Sequence, residues 1–167
     1  MTQTKTPQDW FEPGLRFECT QCGNCCTGPP GFVWFDEAER DAIAAYLDVS
    51  VERFLRLFAR RLNNRWTLQE VKRDGRYDCV FLDRDERGRA LCSIYGVRPT
   101  QCRTWPFWPE NLGSEEQWRA AARDCPGMVL PDSQAGDSQA DDSDHRARGD
   151  FVPADQVRLV RDSNPPE

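Results

Sequence analysis

Four of the eight cysteines lie within eight residues, Cys19-Thr20-Gln21-Cys22-Gly23-Asn24-Cys25-Cys26, spaced C-x2-C-x2-C-C. The other four stand singly at Cys79, Cys92, Cys102 and Cys125. A C-x2-C pair can turn both sulfurs onto one metal. A third cysteine two residues later makes the run that iron–sulfur clusters use. Cys25 and Cys26 add something different. Adjacent side chains diverge by about 100° on a helix and about 180° on a strand. The pair therefore points at two sites or at one polynuclear cluster, and all eight cysteines are candidate metal ligands. Disulfides would want a secretory context, and Met1–Trp10 has no apolar segment of the signal-peptide kind. Buried free thiols are ordinary core filling, which suits a singleton but not the dense run. A reducing, cytoplasmic setting is expected.

The single histidine, His145, falls in an acidic stretch and reads as a solvated residue. Soft ligands are thus all sulfur, which suits zinc or an iron–sulfur cluster and disfavours hard cations. Two closed four-cysteine sites would serve zinc. For iron, Cys19, Cys22 and Cys25 with the remote Cys125 resemble cluster ligation, leaving Cys26, Cys79, Cys92 and Cys102 for a second site. Zinc and iron both stay open, with a slight lean to iron. Without a histidine base, a reaction would need a carboxylate such as Glu18, Asp78, Asp83 or Asp124, each otherwise a surface group. Arg98 and Arg103 could offset thiolate charge or form surface ion pairs. Trp105, Phe107 and Trp108 read as core or as a dry cover over a metal. The readings carried forward are a metal-chelating module, an iron-dependent redox or modifying enzyme, and a structural zinc interaction module.

The elements that must position these residues read as α+β. Asp36 with Glu39 is a capping box opening a helix to Leu47. Ser50 caps a second helix, Val51 to Leu62, with Phe54, Leu55, Phe58 and Leu62 on its apolar side. Period two then takes over from Trp66 to Val71. Asp74-Gly75 signals a hairpin, and Tyr77 to Leu82 returns with Cys79. Ala90 to Tyr95 is a third strand with Cys92, so Cys79 and Cys92 are expected to meet across neighbouring strands. Pro99 opens a helix bearing Cys102. Ser114 with Gln117 caps another, to about Arg123, before Cys125. The fold expected is a small metal-stapled α+β domain. It has helices, a short antiparallel hairpin or three-stranded sheet, and a disordered C-terminal tail.

Composition changes after Met128. Residues 131–167 hold nine Asp/Glu and four Arg, whereas residues 1–130 hold 19 acidic and 18 basic residues. One metal-binding domain over 10–130 is expected, followed by an acidic, disordered tail over 131–167, with a short helix at Phe151 to Val160. The near-neutral total over 1–130 gives no reason to expect nucleic acid as a partner. No apolar run reaches the roughly 18 residues of a membrane span, so no membrane is expected; metal ions are the expected partners, and the sequence names no protein partner.

These residues resemble the CxxCxxCC zinc- or iron-chelating domain family, the YkgJ-type cysteine-cluster proteins. The run at Cys19–Cys26 is followed in order by Cys79-Val80-Phe81-Leu82 and Cys92-Ser93-Ile94-Tyr95. Next come Arg98-Pro99-Thr100-Gln101-Cys102-Arg103 with Pro106-Phe107, then Cys125-Pro126-Gly127. The resemblance covers roughly residues 17–128 and implies zinc or iron chelation without a defined reaction. A similar cysteine domain occurs in a flagellin lysine-N-methylase, but this chain shows no methyl-donor feature.

Overall fold

The computed structural model describes residues 10–12, 14–131 and, as backbone, 150–153. His145, most of the acidic segment and most of the helix expected near Phe151 lie outside the described residues. Strands are β1 (Gly14–Phe17), β2 (Thr27–Gly28), β3 (Trp34–Phe35), β4 (Ala59–Leu62), β5 (Arg65–Leu68), β6 (Glu70–Arg73), β7 (Arg76–Cys79), β8 (Leu82–Arg84), β9 (Ala90–Cys92) and β10 (Asp150–Pro153). Helices are α1 (Glu37–Tyr46), α2 (Val51–Phe58), α3 (Thr100–Arg103), α4 (Pro109–Leu112) and α5 (Glu115–Ala122), so the class is α+β. All strand pairs are antiparallel, in sheets ordered β1-β10, β2-β7-β6, β3-β5-β4 and β8-β9. No helix among the described residues is long and apolar enough to cross a membrane. The chain divides into two compact units, Met1–Cys22 with Thr104–Glu167, and Gly23–Arg103.

In the first unit, Phe11, Leu15, Phe107, Leu112, Trp118, Cys125 and Met128 form the core. Burying tryptophan requires a partner for its N–H. Trp118 Nε1 donates to the Val129 carbonyl at 3.1 Å, and Trp10 Nε1 to the Leu112 carbonyl at 2.8 Å. Ser114 accepts the Gln117 N–H and starts α5 as expected. The strand β10 replaces the start of the helix expected at Phe151, because its backbone pairs with β1, Phe151 opposite Arg16.

In the second unit the core is Phe35, Ile43, Ala44, Phe54, Ala59, Leu68, Phe81 and Ile94. Asp36 and Glu39 form the expected reciprocal box, and Ser50 accepts the Arg53 N–H. The second helix ends at Phe58, not Leu62. Asn63 and Asn64 both take positive φ, 46° and 65°, the two-residue turn that matches strand twist. That turn draws Ala59–Leu62 into a hairpin with Arg65–Leu68. Leu62 fitted the helical period, but strand pairing prevailed over propensity. The Asp74-Gly75 turn is formed as expected, with φ 48° and 80°.

The strand expected from Trp66 to Val71 is broken at Gln69. Its N–H goes to the Phe58 carbonyl and its side chain to the Ala59 carbonyl, leaving β5 and β6 in different sheets. The strand expected from Tyr77 to Leu82 also breaks, at Val80-Phe81, because the Val80 N–H reaches the Gln69 carbonyl at 2.9 Å and Phe81 turns into the core. Cys79 and Cys92 therefore belong to different sheets, contrary to the neighbouring-strand expectation.

Candidate metal centre

Cys25 and Cys26 sit in a 3-10 turn, Asn24–Cys26, entered through Gly23 at φ 78°. A Cβ on Gly23 would lie 2.7 Å from the Ala90 Cβ. Glycine is needed there for both its conformation and its close approach to β9. The two sulfurs are 3.7 Å apart. The Cys26 thiol hydrogen-bonded to Cys25, followed by desolvation, holds the Cys25 thiol far above its ordinary range.

Cys79 and Cys92 end their strands in the same way. Each sulfur takes the backbone N–H two residues on, from Phe81 and from Ile94, which favours the thiolate. Both donors belong to buried core residues, and Ser93 N–H to Phe81 carbonyl, 3.0 Å, ties the two corners together. Burial still pushes Cys79 up to about 11, with the nearby Cys92, Glu70 and Cys25 adding to it. Burial likewise pushes Cys92 up, with Cys25 contributing and Arg98 opposing.

Cys102 is set by α3, which two polar side chains pin in place. Glu39 accepts the Thr100 N–H at 2.6 Å. Gln101 accepts the Trp34 N–H at 2.8 Å and donates to the Phe32 carbonyl at 3.0 Å. This accounts for the run Thr100-Gln101-Cys102. Burial pushes the Cys102 thiol strongly up, and Cys79, Cys92 and Cys25 push further, against Arg98.

Within one unit Cys25 acts on Cys79, Cys92 and Cys102, and Cys79 and Cys92 act on Cys102 as well, whereas Cys25 itself answers chiefly to Cys26. Of the adjacent pair it is Cys25 whose charge is felt at the other three. As they stand, no three Cys, His, Asp or Glu side chains among the described residues are grouped closely enough to hold a metal. The donor chemistry nevertheless fits a thiophilic cation. Burial and neighbouring sulfurs keep Cys79, Cys92 and Cys102 from ionising, and Cys26 does so chiefly for the exposed Cys25; a bound cation would counter these effects.

Cys19, Cys22 and Cys125 belong to the other unit. Cys19 is exposed, and Cys125 is buried, 3.5 Å from the Trp105 Nε1 donor. Gly127 after it is fixed by packing, since a Cβ would strike the Glu18 carbonyl. Among the expected helpers, Arg98 acts on the sulfurs, whereas Arg103 turns to Thr100 at 2.9 Å and to Glu39 at 4.0 Å. Asp78 accepts the Thr27 hydroxyl. Asp83 accepts the Arg84 N–H, and Glu18 and Asp124 are exposed. Tyr95 was not singled out in the sequence. Its ring lies 3.8 Å under the Arg98 guanidinium, and its carbonyl accepts Arg98 Nε at 3.2 Å, so it positions that cation. The three-residue spacing was the available signal.

Fold and cysteine pattern together define a small α+β cysteine-cluster domain. The CxxCxxCC family, described as "Putative zinc- or iron-chelating domain", matches residues 18–126. The chain belongs to this family, whose domains are metal chelators by description. It is also 31 % identical over 142 residues to an uncharacterized protein of Methanocaldococcus jannaschii, covering 82 % of this chain and 71 % of that one. No solved structure matches the chain.

Proposed function

We propose that the chain holds zinc or iron through its cysteine sulfurs, with Cys25, Cys79, Cys92 and Cys102 forming one four-thiolate centre in Gly23–Arg103. Cys19, Cys22, Cys26 and Cys125 are the remaining proposed ligands. The observation that carries this reading is that Cys25, Cys79 and Cys92 all lie near enough to Cys102 to push its thiol up, beside the backbone tie between the Cys79 and Cys92 corners. Four thiolates around a divalent cation leave a net negative charge, which Arg98 would partly offset. The Phe81 and Ile94 N–H groups would steady two of the sulfurs. A closed all-sulfur set leaves no open position, so the metal's role is structural and a binding module is favoured over an enzyme.

The test is anaerobic purification followed by elemental analysis and an absorption spectrum. Iron–thiolate sites absorb in the visible and zinc sites do not. Cys102→Ser should lose metal while Arg103→Gln keeps it. Uptake should also be proton-coupled. The raised thiols are protonated at neutral pH and must release protons to bind, so affinity rises with pH through and above neutrality. Full metal retention in Cys102→Ser, or a pH-independent affinity, would refute the four-sulfur centre.

A further inference from the structure

The metal reading leaves one charged surface unexplained. Residues 53–76 carry eight cations, seven of them arginine, against two carboxylates, in a chain of net charge −6. The near-neutral total over 1–130 concealed this segregation. All eight, Arg53, Arg56, Arg60, Arg61, Arg65, Lys72, Arg73 and Arg76, are exposed. Six of them crown two hairpin turns, Asn63-Asn64 and Asp74-Gly75.

The first hairpin adds aromatic surface to the charge. Trp34, Thr67 and Arg60 lie in one row across β3-β5-β4, and Leu62 opposite Arg65 falls on the same face by alternation. Trp34 stacks on Phe32 at 5.1 Å and 15°. The Arg65 guanidinium lies 4.3 Å over Trp34, and that of Arg60 lies 5.1 Å over Phe32. On the opposite face Arg61 covers Trp66 at 5.8 Å. A guanidinium stacked on a ring keeps its in-plane N–H donors for an anion. Arg60 spends part of its fork on Glu70 at 3.2 Å and on the Gly31 carbonyl at 2.8 Å. Arg65 has no carboxylate partner among the described residues. Phe32 is 39 % exposed at the edge of this face.

We propose that the β3-β5-β4 face and its Asn63-Asn64 turn bind single-stranded nucleic acid, with Arg60 and Arg65 on phosphates and Phe32 against an unpaired base. An acidic protein segment would match the charge but leave the exposed Phe32 unused. A strand with free bases matches both. A duplex would shield its bases and gain only from the charge.

The test is fluorescence anisotropy of the full chain with labelled single-stranded RNA, single-stranded DNA, duplex DNA and polyglutamate, from about 50 to about 200 mM salt. Single strands should bind more tightly than duplex or polyglutamate, and the RNA and DNA arms identify which strand is preferred. The double variant Arg60→Gln with Arg65→Gln should flatten the logarithmic salt dependence by about 1.4, at roughly 0.7 per lost phosphate contact. Phe32→Ala should weaken binding at least about fivefold with the salt slope unchanged. Arg123→Gln, in the other unit, should change nothing. Melting temperature and metal content of each variant report its folding, and photocrosslinking of the unsubstituted chain should label the peptide containing Phe32. Absence of binding at the lower salt overturns the proposal. So does equal affinity for duplex or polyglutamate, or an unchanged slope in the folded double variant. Metal content stays at its unsubstituted level in any of these cases, so failure here is separable from failure of the metal site.

Discussion

Cys125 is 6 % exposed inside an aromatic core with Phe107, Trp118 and Met128, and a tryptophan N–H faces its sulfur. Cys79 and Cys92 instead border an aliphatic and phenylalanine core, and backbone N–H groups face their sulfurs. Cys125 in one unit and Cys79 and Cys92 in the other are therefore held differently. In one, a thiol is part of the packing. In the other, packing fixes the backbone and the backbone presents the thiols. Residues such as Phe81 and Ile94 carry the N–H groups that face those sulfurs.

Metal removal should separate the two units most sharply. Structural thiolate sites contribute on the order of 10 kcal/mol, comparable with the whole stability of a small domain. Chelation under reducing conditions should open Gly23–Arg103 first, read as loss of hydrogen-exchange protection at Phe54, Phe81 and Ile94. Amides around Trp118 should stay protected longer. Simultaneous loss in both units would break the comparison.

Core truncation comes next. Phe54→Ala and Trp118→Ala should each cost about 3–5 kcal/mol, the usual range for removing a buried aromatic side chain. Their effects on metal should differ. Phe54→Ala loosens the core that sets Cys79 and Cys92, so metal content should fall with stability. Trp118→Ala should lose stability with a smaller loss of metal. Thermal melts paired with elemental analysis check this, and equal metal loss would count against it.

The smallest effect is expected at the helix starts. Ser50 and Ser114 cap α2 and α5 by accepting the N–H three residues on. Replacing either with alanine should cost about 1 kcal/mol without changing metal content, measured by denaturant unfolding. A metal loss in Ser50→Ala alone would show that the start of α2 also serves the sulfurs.

Much was legible without coordinates wherever physics is local. The Asp36–Glu39 box, the Ser50 and Ser114 caps and the Asp74-Gly75 turn depend on side chains reaching backbone a few residues away, and all formed as expected. The dense run of Cys19–Cys26 and the order of the later cysteines carried the family. What depends on long-range pairing was not legible. The end of α2 at Phe58, the separation of β5 from β6, and the corner at Val80-Phe81 follow from hydrogen bonds to Leu68, Ala59 and Gln69, which no local pattern announces. Which of two adjacent cysteines bears on Cys79, Cys92 and Cys102 was decided the same way. Spacing says only that Cys25 and Cys26 diverge. The left-handed turn at Gly23, packed against Ala90, fixes the backbone that carries both.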